Sequence, residues 1–218
     1  MNCLLCTEPS VKLFLEVDDK IYWKCEHCLF IFLDSKFRLS SLEEKSRYQE
    51  HNNDIHNSDY RLFLSKLFEP LRAKLGTRSR GLDFGCGPGP ALAEMFKEEG
   101  YQMDIYDPFF FKDDVIFSKK YDFITCTEAI EHFFEPAKEL KRLDSILVKG
   151  GFLGLMTTFL TDEKDFGQWY YRKDPTHVAF YQPKTFEVIA SMMDWSYEIP
   201  TKDVVIFKKQ KEQRCLVT

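Results

Sequence analysis

The stretch 80–90, RGLDFGCGPGP, limits the folds open to this chain more than any other. Residues 81–84 read as a short buried strand, and glycines follow at 85, 87 and 89. A run of good helix formers, ALAEMFK, begins at once at residue 91. Glycines let the backbone turn sharply and bring bare main chain against a ligand, where a Cβ would intrude. The helix beyond points unpaired N–H groups at whatever sits there. An ordinary glycine turn before a helix is the plainer reading. The dinucleotide fingerprint wants a third glycine three residues after the second, and Pro90 occupies that place. A nicotinamide oxidoreductase is therefore disfavoured.

The spacing present is G-x-G-x-G, with Asp83 two residues before the first glycine. LDFGCGPG resembles motif I of the class I S-adenosylmethionine (SAM) dependent methyltransferases, and the resemblance extends over about 57–208. It implies a SAM cradle made of Asp83, Gly85, Cys86, Gly87 and Gly89. Residues 102–106 read as the second strand, ending in Asp107-Pro108. A carboxylate at such a strand end can accept bonds from both ribose hydroxyls. In the family the matching residue does this, which assigns Asp107 and its neighbour Pro108 to the cofactor; a turn aspartate before proline is the alternative. TEAIEHFFEP, after the buried strand 121–126, resembles the loop that passes the methionine moiety and the transferable methyl. That places Thr127 and Glu128 at the cofactor as well.

Alternating strands and helices argue an α/β fold. The expected form is a three-layer, Rossmann-like methyltransferase sheet, mostly parallel, closed by an antiparallel C-terminal hairpin (196–199 and 203–208). A helix capped by Asn57 or Ser58 should bury Leu62, Phe63, Leu67, Phe68 and Leu71, and end at Gly76. Only thirteen residues separate Asp107 from Tyr121, too few for a crossover helix and a full third strand, so residues 115–117 are read as a stub of it. A helix over 136–147 and a fifth strand over 152–159 follow. Residues 161–182 form a long aromatic insertion, and loops of that length at a strand's carboxyl end are usually functional. Its Phe166, Trp169, Tyr170 and Tyr171 either wall an acceptor or cover the sheet edge.

Upstream, Cys3-x-x-Cys6, eighteen residues, then Cys25-x-x-Cys28 matches the two-knuckle spacing of a structural zinc site. Each pair offers two thiolates from a tight turn, and two pairs close a tetrahedral shell with no open position. With a hairpin around Asp18-Asp19 and a strand over 29–33, residues 1–35 read as a small zinc ribbon, whose folding depends largely on the metal. His27 reads as an exposed knuckle residue. Residues 36–56 are a linker or a lid, through which His51 could reach the active site, and 57–218 make the methyltransferase domain. The ribbon is expected to pack near the lid and to be separable from the cradle, which lies wholly beyond residue 80. Cys86, Cys126 and Cys215 are expected to take no part in metal binding, and the basic tail from residue 208 to fray.

Methyl transfer from a sulfonium needs alignment, exclusion of water and, for a neutral nucleophile, a base. His177 and His132 are the candidates for catalytic base, with Tyr181 a weaker third; loop-structuring roles are the alternatives. Net charge is −5, and residues 1–40 carry five Lys/Arg against six Asp/Glu. A ribbon that grips nucleic acid should be basic, so a small-molecule acceptor is preferred to an RNA or ribosomal one. A SAM-binding scaffold without catalysis is the third reading. No apolar run is long enough to span a bilayer, and MNCLLCTEPS lacks the features of a signal peptide. A cytoplasmic protein is expected, its seven cysteines not engaged in disulfides.

Overall fold

The computed structural model describes residues 1–49 and 54–210. Its main sheet uses β4 (Arg80–Phe84), β5 (Gln102–Tyr106), β6 (Tyr121–Thr127), β7 (Leu147–Met156), β9 (Trp195–Thr201) and β10 (Val204–Lys209). Their order is β5-β4-β6-β7-β10-β9. The first four are parallel, and β10 runs antiparallel to both β7 and β9. Successive strand residues face opposite sides, and here both sides are covered. Val204 and Ile206 of β10 pack with α2 (Ser58–Arg72) and α3 (Ala91–Glu98). Val205 and Phe207 join α4 (Pro136–Ile146) and α6 (Pro183–Met193) on the other face. This is the three-layer arrangement that near-continuous apolar strands require.

Local signals set most boundaries. Asn57 caps α2, its Oδ1 accepting from the Tyr60 N–H at 2.9 Å. The buried stripe of α2 is Leu64, Leu67, Phe68 and Leu71, at helical spacing i, i+3, i+4, i+7. Leu67, Phe68 and Leu71 are buried as expected and Phe63 is half-buried, but Leu62 is exposed while Leu64 is buried, and the helix ends at Arg72, short of Gly76. The expected third-strand stub is instead a 3-10 turn, Asp114–Ser118. Asp113 caps it by accepting from the Val115 N–H at 3.0 Å, and Ile116 is buried. The connection is too short to lay another strand beside β5, which remains the sheet edge. β7 begins at Leu147, earlier than the glycine pair suggests, and ends at Met156.

The ribbon departs furthest from expectation. Strands β1 (Val11–Val17), β2 (Lys20–Cys25) and β3 (Ile31–Leu33) form an antiparallel meander. A fourth strand, β8 (Ala179–Phe180), comes from the insertion and pairs with β3. The ribbon therefore sits on the insertion rather than on helix α1 (Ser41–Gln49) of the 36–56 segment. Its buried Leu5, Tyr22, Phe30 and Ile31 belong to the same core cluster as Leu82 and Ile124 of the main sheet. Phe166 and Phe180 pack edge-on with each other and with Tyr22, while Tyr181 stacks with Phe186. The aromatic tract is thus shared core, with only Tyr170 exposed among its large rings.

Arg172, on α5 (Tyr170–Lys173), clasps the two parts. Its side chain is 2% exposed and donates to Asp18 Oδ2 at 2.6 Å, Gly167 O at 2.8 Å, Phe166 O at 3.2 Å and the Tyr22 hydroxyl at 3.3 Å. Asp18 and Asp19 form the β1–β2 turn with positive φ (51° and 57°), and the Arg172 guanidinium holds the Asp18 carboxyl below its ordinary range. Replacing Arg172 by alanine leaves four acceptors without their donor and a cavity under the ribbon. The expected loss is about 2–4 kcal/mol, read as a lower urea midpoint with an unchanged slope.

Candidate active site

The site is built where β4 and β5 end. Gly85 has φ +74°, and a Cβ there would lie 2.6 Å from Ala129 Cβ. Gly87 follows at φ +62°, again left-handed. The turn is tied to β5, because the Gly85 and Cys86 N–H groups both donate to Tyr106 O (2.8 and 3.2 Å). Asp107 completes the tie. Its Oδ2 accepts from the Gly87 N–H at 3.0 Å, and its Oδ1 from Phe109 and Phe110 at 2.8 and 3.1 Å. Asp83 is buried behind the turn; burial pushes its carboxyl up to about 6, against the Thr125 hydroxyl, which donates at 2.7 Å, and the Ala93 N–H.

In front of the turn lies a cavity of about 360 Å³. Asp83, Gly85, Cys86, Gly87, Gly89, Asp107, Thr127, Glu128, His132 and His177 all line it, so the cradle and both histidines share one space. Pro108 lines an adjoining cavity of about 300 Å³, walled by Phe84, Tyr106 and Phe133, with Arg142 at its edge. The first cavity carries five carboxyl groups, Asp83, Asp107, Glu128, Glu131 and Asp174, and among the described residues no lysine or arginine lines it. Such a wall favours a cationic ligand and opposes a phosphate.

The loop after β6 supplies the far wall. Glu128 has φ +46°, and its N–H is held by Met156 O at 2.8 Å. Burial, with the Glu131 carboxylate adding, pushes the Glu128 carboxyl up to about 9. Glu131 is fully buried. Its Oε2 accepts from Thr157 Oγ1 at 3.0 Å, and Thr157 in turn bonds the Tyr171 hydroxyl at 2.9 Å. His132 Nδ1 meets Thr176 O at 3.0 Å, and His177 Nδ1 meets Tyr171 O at 2.7 Å. A carbonyl only accepts, so each Nδ1 carries a proton, and in the neutral ring Nε2 is the acceptor. Burial holds the His177 imidazole below its ordinary pKa.

Tyr181 lies outside this lining: it is buried and donates to Ile130 O at 3.0 Å. Phe166, Trp169, Tyr170 and Tyr171 do not line the cavity either, which leaves the sheet-covering reading of the tract. His51 and Cys215 lie outside the described residues. Sequence reasoning missed Glu131, Thr176 and Asp174, and on the near side Tyr48 of α1 with Tyr60 and Phe63 of α2. Glu131 had a signal, standing between Glu128 and His132 in E-x-x-E-H. Tyr60 and Phe63 had one too, three residues apart on a helix capped by Asn57.

The four ribbon cysteines form a second centre. Both knuckles share one geometry. The residue after each second cysteine, Thr7 and Leu29, is left-handed (φ 64° and 59°) and donates its N–H to the carbonyl of the first, Cys3 and Cys25. All four thiols are buried and mutually within 4.8 Å. Cys3–Cys28 and Cys6–Cys25 are 3.7 and 3.6 Å apart. A tetrahedral ion with metal–sulfur bonds of about 2.3 Å sets sulfurs roughly 3.8 Å apart, so the shell already has the size for zinc. Cys86 and Cys126 lie outside it.

The profile of a family described as "Methyltransferase domain" matches residues 56–197. No curated protein matches. Among solved structures, an O-methyltransferase family protein from Burkholderia thailandensis aligns with a TM-score of 0.51 and 13% identity, over 78% of this chain and 64% of that one. The N-methyltransferase NodS from Bradyrhizobium japonicum, in complex with S-adenosyl-L-homocysteine, gives 0.49 and 13%, over 78% and 98%. The magnesium protoporphyrin IX methyltransferase ChlM from Synechocystis gives 0.48 and 14%, over 78% and 95%.

Proposed function

Because the chain belongs to the methyltransferase-domain family, we propose that it moves the methyl group of SAM to a small-molecule acceptor. The observation that carries this reading is the glycine cradle opening into a cavity with five carboxyl groups and no lysine or arginine among its described lining residues. SAM is a cation at its sulfonium and its amino group, whereas the phosphates of a dinucleotide would meet a repulsive wall. The bare backbone at Gly85–Gly89 and the Asp107 carboxylate take the ribose and amino acid. The neighbouring cavity, with Phe84, Tyr106, Pro108 and Phe133, takes the adenine. The methyl then points toward Thr127, Glu128, Glu131, His132 and His177, where the acceptor binds.

Transfer is an in-line displacement, so the residues' work is to align, to exclude water and to handle a proton. The buried floor at Glu131 and Thr157 excludes water. The Nε2 lone pairs of His132 and His177, left unused by the bonds at Nδ1, can receive the acceptor's proton. The cavity's volume of about 360 Å³ supports a small acceptor, and the β3 edge of the ribbon is taken up by β8. Calorimetry with S-adenosyl-L-homocysteine tests the reading. One site per chain is expected; no binding to folded protein overturns it.

We also propose that Cys3, Cys6, Cys25 and Cys28 hold a structural zinc ion. A four-thiolate shell has no position for substrate, so the ion's part is to fix the ribbon. Protein purified without chelator should contain one zinc per chain, and Cys25→Ser should lose it. Replacing Cys86 and Cys126 together should leave the content unchanged. Less than half an equivalent in the parent protein would count against the assignment.

A further inference from the structure

The far wall of the cavity holds an arrangement that methyl transfer by itself does not explain. Glu131 is 0% exposed, yet its Oε1 has no hydrogen-bond partner. His132 Nε2 lies 3.9 Å from it. In the neutral ring that nitrogen is the acceptor, because the Nδ1 proton is committed to Thr176 O. The buried carboxyl oxygen and the imidazole nitrogen therefore face one another across 3.9 Å, too far for a hydrogen bond. His177 repeats the pattern, its Nδ1 donating to Tyr171 O and its Nε2 left as an acceptor. One donor atom from each of Glu131, His132 and His177 lies within 4.8 Å of the others.

A buried carboxyl oxygen without a partner, beside the ring nitrogens of two half-buried histidines, is a place for a cation. The surroundings are those of a metal site. Each imidazole is oriented by a backbone carbonyl at its other nitrogen, and the carboxylate by Thr157 Oγ1 at its other oxygen. An ion about 2.1 Å from each ligand holds them roughly 3–4 Å apart, against 3.9 Å between Glu131 Oε1 and His132 Nε2 and no more than 4.8 Å for the other pairs. We propose that Glu131, His132 and His177 bind a divalent first-row metal ion, with open positions toward the cavity that take an oxygen of the acceptor. Two imidazoles and one carboxylate suit such ions, and three protein ligands leave room for water or substrate. The Cys shell is separate and closed.

The use of the ion rests on the methyl-transfer reading; its binding does not. An acceptor hydroxyl bound to the ion gives its proton to water more readily. Its oxygen pair then forms the bond to the methyl carbon as the carbon–sulfur bond breaks, its pair passing to sulfur, which leaves as the neutral thioether. The histidine lone pairs are then ligand electrons and not proton acceptors, and the acceptor class narrows to oxygen compounds.

The test is a Mn2+ titration of the full, zinc-loaded chain, read by the electron paramagnetic resonance signal of free ion. One bound Mn2+ per chain is expected, retaining exchangeable water detected by proton relaxation. Glu131→Gln and His177→Gln should each weaken it more than tenfold. Thr157→Val keeps the side-chain shape and removes only the hydroxyl that orients Glu131; it should weaken binding about tenfold, and it carries the test if Glu131→Gln does not fold. All Mn2+ remaining free, or parental affinity in a folded Glu131→Gln or Thr157→Val protein, overturns the proposal. Loss of exchangeable water overturns the open positions. Calorimetry with S-adenosyl-L-homocysteine separates the readings: product binding without Mn2+ binding sinks the metal alone, and Mn2+ binding without product binding sinks the transferase reading.

Discussion

Asp107→Ala is expected to lower the affinity for S-adenosyl-L-homocysteine by more than a hundredfold. The carboxylate has two tasks, and alanine ends both. It offers the ribose a charged acceptor, and a charge-assisted bond lost from a buried site costs about 1.5–3 kcal/mol. It also holds the glycine turn, through Gly87, and the chain after β5, through Phe109 and Phe110. Three N–H groups lose their acceptor together, and the left-handed Gly87 loses the contact that fixes it. Asp107→Asn keeps a side-chain oxygen in place and should cost less, about tenfold. Calorimetry on both variants, beside a circular dichroism melt, gives the measurement. Parental affinity in a folded Asp107→Ala protein would remove the residue from the cofactor site.

The cradle was legible in the sequence because its chemistry is local. A strand, three alternating glycines and a helix start follow one another without interruption, and an acid ends the next strand. Strand ends place Gly85, Gly87 and Asp107 together at the carboxyl end of the sheet, and the resemblance to motif I implies their roles. The far wall was only half legible. Glu128 and His132 lie in one short motif, but the partners that orient the wall come from two other segments, Thr157 after β7 and Tyr171 and Thr176 in the insertion. No periodicity or spacing connects them. The same limit applies to α2, where Leu67, Phe68 and Leu71 are buried as expected but tertiary packing buries Leu64 and leaves Leu62 exposed. It explains the short connection after Asp107 differently. Chain length ruled out a full strand and helix, but not whether the remainder would be a stub strand or a capped 3-10 turn.

The ribbon was legible as a unit and misplaced as a neighbour, and this reverses the expectation that it can be removed without harm to the rest. Deleting residues 1–35 takes away β3, the partner of β8, and Tyr22 and Asp18, the partners of Arg172. Phe166, Phe180 and Tyr181, each at or below 1% exposure, lose cover on that side. Full burial of such side chains is worth about 1.5–3 kcal/mol each, and stranding Arg172 adds about 2–4 kcal/mol. The sum, roughly 6–13 kcal/mol, is as large as the whole stability of an ordinary domain, about 5–15 kcal/mol. The truncated chain is therefore expected not to fold cooperatively, although every residue of the cradle is still present. Removing the zinc ion proposed for the ribbon from the full chain should do the same in milder form. His177 and Thr176 follow directly on α5 and precede β8, so the far wall should loosen before the glycine turn does. Thermal melts of the truncated and chelator-treated proteins check this. A truncated chain that melts cooperatively near the parent's temperature, with product affinity intact, would show the ribbon to be an independent appendage.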